Sequence, residues 1–176
     1  MILTGREIQR QLHAGRINID PFNDKYLESN SYGFHLGPDF TYYEDPILDP
    51  AVVPKCGQTI HSTERGMTLL PGLVYLGHTK EVMGSDFYAS TLYANRSVAS
   101  LGVWIQISAP LGHVGAVISW TLEIRVTQPT VLYPGMNVGK IAFWCVEGLR
   151  ELYKGRYSNS VSVVPSLSYH DWTEQL

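Results

Sequence analysis

The sequence predicts a mainly β chain, a sandwich or barrel of short strands. Two observations carry that reading. Sixteen Gly, ten Pro and eleven Tyr favour strands and turns over helices. Between Leu69 and Phe143 apolar residues alternate along stretches separated by Gly and Pro, with no helical pattern between them. The 176 residues fit one domain, and 44% apolar against 16% charged residues is the balance of a chain that buries a core, which excludes disorder and coiled coil.

Thr4 and Glu7 stand at capping-box spacing, Ile8 and Leu12 make one apolar stripe, and Gly15 stops the turn, so a short helix is expected over 5–14. From Arg16 to Pro71 the pairs Asp20-Pro21, Gly37-Pro38, Asp45-Pro46, Asp49-Pro50 and Val53-Pro54 punctuate brief strands such as 32–36 and 40–43. In 102–109 the odd positions Val103, Ile105, Ile107 and Ala109 share a face. In 116–127 the even positions Ala116, Ile118, Trp120, Leu122, Ile124 and Val126 do. Strands over 131–133 and 138–146 flank a turn at Tyr133-Pro134-Gly135-Met136-Asn137. After Glu147 the composition turns polar, which divides the chain into a β domain over 1–147 and a tail or lid over 148–176.

The formal charge of -3 gives no global positive field for a nucleic-acid backbone. No apolar run reaches the roughly 18 residues of a membrane span, and no signal-peptide core follows Met1. A soluble, cytoplasmic protein without nucleic-acid or membrane partners is therefore expected. Cys56 and Cys145 lie far apart with no CxxC or HxE pairing, so they read as free thiols and not as zinc ligands. The loops GxxxxGK[ST], GxGxxG, GxSxG and HExxH are absent from the sequence.

Charge placement gives the strongest chemical signal. From Ser97 to Ile124 there is no Lys, Arg or Asp, and Glu123 alone carries a formal charge. A desolvated carboxylate has a raised pKa and suits proton transfer near neutral pH. The bland alternative pairs Glu123 with Arg125 on the same strand face. Arg96 and Ser97, followed by the small residues Ala99, Ser100 and Gly102, could let an anion approach the backbone, although an arginine in a turn is commonly just solvated. Among six scattered histidines, His113 stands out by its place in a glycine-rich loop ahead of the Glu123 strand. Trp104 and Trp120 lie on strand faces that cannot both be buried in one small barrel, so a subunit contact is expected there.

The order of these pieces resembles the dCTP deaminase branch of the dCTP deaminase and dUTPase superfamily. The blocks are Met1-Ile2-Leu3-Thr4 with its helix, Ile19-Asp20-Pro21-Phe22, Asn30 to Gly37, Leu70-Pro71-Gly72 with Tyr75 to Glu81, Arg96 to Gly102, Thr121-Leu122-Glu123-Ile124 and Leu132 to Phe143. The resemblance implies a homotrimer of distorted β-barrel (β-clip) subunits, with each site built between neighbours under a C-terminal tail. It implies zinc-independent hydrolysis of a cytosine nucleotide, dCTP to dUTP and ammonia, with Mg²⁺ accompanying the triphosphate. Glu123 would activate the water, Arg96 and Ser97 would meet the phosphates, and the Ala109 backbone would position base and water.

Three departures stand beside it. Ser100 occupies the place of a second phosphate-binding arginine, and losing such a clamp costs on the order of 2 kcal/mol of binding. His113 stands near the place of an Asp that meets the sugar 3′-hydroxyl. The tail has Arg156-Tyr157 with Asn159 or Ser160 in place of a Lys-Tyr pair and a Gln. A deaminase of dCTP or of a related cytosine nucleotide is thus the first expectation, a non-catalytic nucleotide-binding homologue the second, and a pyrophosphohydrolase of dUTPase type the third.

Overall fold

The computed structural model describes residues 1–173, in which strands dominate and helices are short. In chain order the elements are α1 (Gly5–His13), β1 (Asn18–Asp20), β2 (Tyr32–His35), β3 (Asp39–Tyr42), β4 (Ile60–His61), β5 (Met67–Leu69), β6 (Tyr75–Gly84) and β7 (Tyr88–Ala94). They continue with α2 (Arg96–Ala99), β8 (Val103–Trp104), β9 (Leu111–Gly112), β10 (Ile118–Val126), β11 (Thr130–Leu132), β12 (Asn137–Cys145) and α3 (Tyr169–Thr173). No helix is long and apolar enough to cross a membrane among these residues.

Helix α1 forms where its cap signals place it: the Thr4 hydroxyl accepts the Glu7 amide at 3.3 Å, and Ile8 is fully buried. The helix ends before Gly15, whose φ of +69° is open to glycine at no steric cost. The strands then form three antiparallel sheets. In the largest, β4, β3, β6, β10 and β8 lie side by side and β1 joins the β3 edge of β6. The second orders β2, β12, β7 and β9, and the third pairs β11 with β5. The core between the sheets holds Tyr32, Phe34, Phe40, Leu122, Ile124 and Phe143. Of these, Leu122 and Ile124 belong to the face that alternation sets apart in 116–126.

The barrel expected from resemblance is not one closed ladder among the described residues. Strands β6 and β12 are long, but most of their partners have two to four residues, and the two larger sheets meet through the isolated bridge of Leu36 with Thr79. The strand expected over 102–109 stops at Trp104: Ile105 is buried, whereas Ile107 and Ala109 are exposed. Past Trp104 the chain bends away from the β10 ladder, which brings the Ile107 amide near the Glu123 carboxylate. Trp104 is 53% exposed and Trp120 half-buried, its indole N–H donating to the Met83 carbonyl at 2.9 Å.

The single apolar face expected over 116–126 is also broken. Opposite Ser119 and Thr121 the register on β6 jumps from Val82 to His78, and such irregularities re-aim side chains. Before the jump Ser119 points inward, its hydroxyl donating to the Thr79 carbonyl at 2.7 Å, while Ala116, Ile118 and Trp120 line a cavity. After it Leu122, Ile124 and Val126 enter the core, and Thr121 and Glu123 face the cavity.

Candidate functional site

That cavity, of about 420 Å³, is where Glu123 lies. Strand β10 supplies its floor with Trp120, Thr121 and Glu123, and the loop after β8 adds Ala109. Gly112, the last residue of β9, leaves no room for a side chain, because a Cβ there would meet Trp120 Cη2 at 2.5 Å and the Ser90 hydroxyl. Beyond it His113 lines the mouth, its ring stacked on Tyr153 with centroids 5.3 Å apart and 16° between planes.

The tail closes the cavity from its own chain. It enters where the Tyr153 amide donates to the Val114 carbonyl at 2.7 Å, and the Ser119 amide donates to the Ser160 carbonyl at 3.0 Å. The Val164 amide then donates to the Thr121 hydroxyl at 3.0 Å. The Ser166 amide donates to the Tyr43 hydroxyl at 3.0 Å, and the Leu167 amide to the Tyr157 hydroxyl at 2.9 Å. The Arg156 guanidinium pairs with Asp171 at 2.6 Å and donates to the Leu167 carbonyl.

Burial pushes the Glu123 carboxyl above its ordinary value of 4.5, while the nearby backbone amides of Ile107 and of Glu123 itself oppose the rise. The bland expectation of a pairing with Arg125 is not met: Arg125 is exposed, and no ion pair joins the two among the described residues. A carboxyl whose folded pKa is raised binds its proton more tightly folded than unfolded. Its charge therefore lowers stability at neutral pH, and that penalty disappears as pH falls through the folded pKa toward the unfolded value. Glu123→Gln is expected to raise Tm at pH 7, with the difference from wild type shrinking toward pH 4. A thermal melt series across that range checks it, and a lower Tm for the variant at pH 7 contradicts it.

Of the residues singled out in the sequence, Glu123, Ala109, His113, Tyr157 and Ser160 meet at the cavity. Arg96, Ser97 and Ser100 do not line it: they sit exposed on and beside α2, with the Ser100 hydroxyl donating to the Arg96 carbonyl at 2.7 Å. Arg156 and Asn159 lie in the tail outside the lining, and Arg156 is engaged with Asp171. Sequence reasoning missed Tyr43, Tyr153, Thr121 and the cavity role of Trp120. It also missed Glu81, a buried carboxylate outside the cavity: one oxygen lies 2.5 Å from His35 Nδ1, and the other accepts the His35 amide at 2.9 Å.

The family profile described as dCTP deaminase-like matches residues 2–146. A Clostridium beijerinckii protein named "dCTP deaminase, dUMP-forming" is 36% identical over 173 residues, covering 98% of this chain and 99% of that protein. A Hathewaya histolytica protein of the same name is 38% identical over the same length and coverage. The "dCTP deaminase" of Rhodopirellula baltica is 35% identical over 172 residues, with 97% of this chain and 86% of that protein covered. Among solved structures, the 2′-deoxycytidine 5′-triphosphate deaminase of Agrobacterium tumefaciens superposes with a TM-score of 0.63 at 16% identity over 81% of this chain. This chain spans about half, 47%, of that one, and the match shows the fold.

Proposed function

Because the chain belongs to the dCTP deaminase-like family, we propose that it is a hydrolase that deaminates a cytosine nucleotide, dCTP foremost, to its uracil counterpart dUTP and ammonia, in the cytoplasm. The observation that carries this reading is Glu123, the carboxylate of the aromatic-walled cavity, held half-buried with the Ile107 amide against it. As a base Glu123 takes a proton from water, and the hydroxide adds to C4 of the ring. The protonated Glu123 then gives that proton to the amino group, ammonia leaves, and the remaining proton of the added hydroxyl passes to N3 as the C4 carbonyl forms. Burial suits the group to both steps, because a raised pKa moves the balance of acid and base forms toward neutral pH. Activity falls on acidification through the raised pKa, so the acid limb of kcat/KM lies above that of an exposed glutamate.

The Ala109 backbone at the cavity wall supports a role in positioning base and water, and His113 and Tyr157 support contacts to the sugar side. No zinc takes part in this reading, and Mg²⁺ enters with the triphosphate as part of the substrate. Arg96, Ser97 and Ser100 lie outside the chain's own cavity, so the phosphates are met by α2 of a neighbouring copy in a homotrimer, whose contact includes the exposed Trp104. The site is then shared, and two inactive variants complement each other. Mixing Glu123→Gln with Arg96→Ala after co-refolding is expected to restore up to about a quarter of the activity by subunit statistics, since some sites combine an intact Glu123 with an intact Arg96. No recovery above either variant alone contradicts the shared site.

A second reading, in which the triphosphate is also cleaved to give dUMP and pyrophosphate, is favoured by the names of the Clostridium beijerinckii and Hathewaya histolytica relatives.

A further inference from the structure

Tyr43 follows β3 and is assigned no role by the resemblance or by the family likeness. It stands where three things meet. It lines the Glu123 cavity. It also lines a second, smaller cavity of about 180 Å³ with Pro50, Val52 and Ser168, between the 48–54 loop and the tail. Its hydroxyl accepts the Ser166 amide at 3.0 Å, and Ser166 itself lines both cavities.

A tyrosine hydroxyl has one proton to donate besides the lone pairs it offers. The Ser166 amide occupies a lone pair, and among the described residues the hydroxyl proton has no protein acceptor. Burial pushes the phenol pKa upward, Tyr157 and Glu123 add to the rise, and the Ser166 amide opposes it, so the proton stays on the oxygen. A half-buried donor beside the cavity is complemented by an acceptor on whatever fills it. A pyrimidine offers such acceptors at O2 and, in cytosine, at N3.

We propose that the Tyr43 hydroxyl ties closure of the C-terminal segment to occupation of the Glu123 cavity, accepting the Ser166 amide and donating its own proton to the acceptor edge of the bound pyrimidine. This rests on the cytosine-nucleotide reading of the site. Tyr43 is a binding and positioning residue: it moves no proton in the reaction, and its contribution is the same in ground and transition states. Its loss therefore appears in KM and not in kcat.

The test combines steady-state kinetics with hydrogen–deuterium exchange of the 160–168 peptide, with and without dCTP, in wild type and Tyr43→Phe. In wild type dCTP is expected to slow exchange at the Val164, Ser166 and Leu167 amides by about tenfold or more. In Tyr43→Phe that slowing is lost and KM rises about tenfold, with kcat within about threefold of wild type. A second variant, Asp171→Asn, weakens the segment from its Arg156 side and leaves the Tyr43 hydroxyl in place. It is expected to exchange faster when free yet to keep the dCTP-dependent slowing, which a general loosening of the tail does not give. Unchanged KM together with full dCTP-dependent slowing in Tyr43→Phe overturns this inference alone. Absence of both turnover and slowing in wild type overturns the cytosine-nucleotide reading and this inference with it.

Discussion

Glu123→Gln is expected to lower kcat for deamination by about 10³–10⁴-fold while nucleotide binding stays within a few-fold of wild type. The substitution keeps size and hydrogen-bonding capacity but removes the group that can take a proton from water and return it. The side chain sits half-buried among Trp120, Thr121 and Ala109, and the amide is neutral, so the fold has no reason to suffer. Two measurements separate the roles: ammonia release reports turnover, and the rise in Tm on adding dCTP reports binding. Turnover within tenfold of wild type removes Glu123 from the chemistry.

Gly84→Ala is expected to destabilise the protein by about 3 kcal/mol, a fall in Tm of roughly 6–12 °C for a chain of this size. Gly84 ends β6 opposite Asn18 with φ of +156°. A Cβ there would fall on the Ala116 carbonyl oxygen and come within 2.7 Å of Val117 Cα. Those neighbours are backbone, so no side-chain rotation relieves the overlap, and β6 must part from the segment leading into β10. That segment carries Ala116 and Ile118 into the cavity wall, so activity falls with stability. Differential scanning calorimetry checks it, and a Tm within about 2 °C of wild type contradicts it.

Much of this was legible in the sequence because it rests on local rules. The capping residues Thr4 and Glu7 mark α1, and the Tyr133 to Asn137 turn separates β11 from β12, each within a residue of the expected bounds. Glu123 stood out because a lone charge in a long uncharged stretch needs a reason, and the fold sets it at a cavity. What stayed hidden depends on partners distant in sequence. The register jump of β10 against β6 is set by how His78 to Val82 lie in the neighbouring strand, so periodicity alone continued the even face past Trp120. Tyr43 meets Ser166 across 123 positions, and no spacing rule connects them. Buried Glu81 has both of its oxygens met by His35, from another strand. Arg96 and Ser97 were grouped with Glu123 by resemblance, yet within one chain they lie apart, a separation that a neighbouring copy resolves in the proposed trimer.

The most direct test is a chromatographic time course of wild type and Glu123→Gln side by side, with Mg²⁺ and dCTP, CTP, dCMP, CMP and dUTP as separate substrates. Wild type is expected to convert dCTP to dUTP with stoichiometric ammonia, and the variant is not. Accumulation of dUMP and pyrophosphate moves the product assignment to the second reading and leaves Glu123 in place. Wild type that binds dCTP yet releases no ammonia from any cytosine nucleotide contradicts the account and leaves a nucleotide-binding protein on this fold.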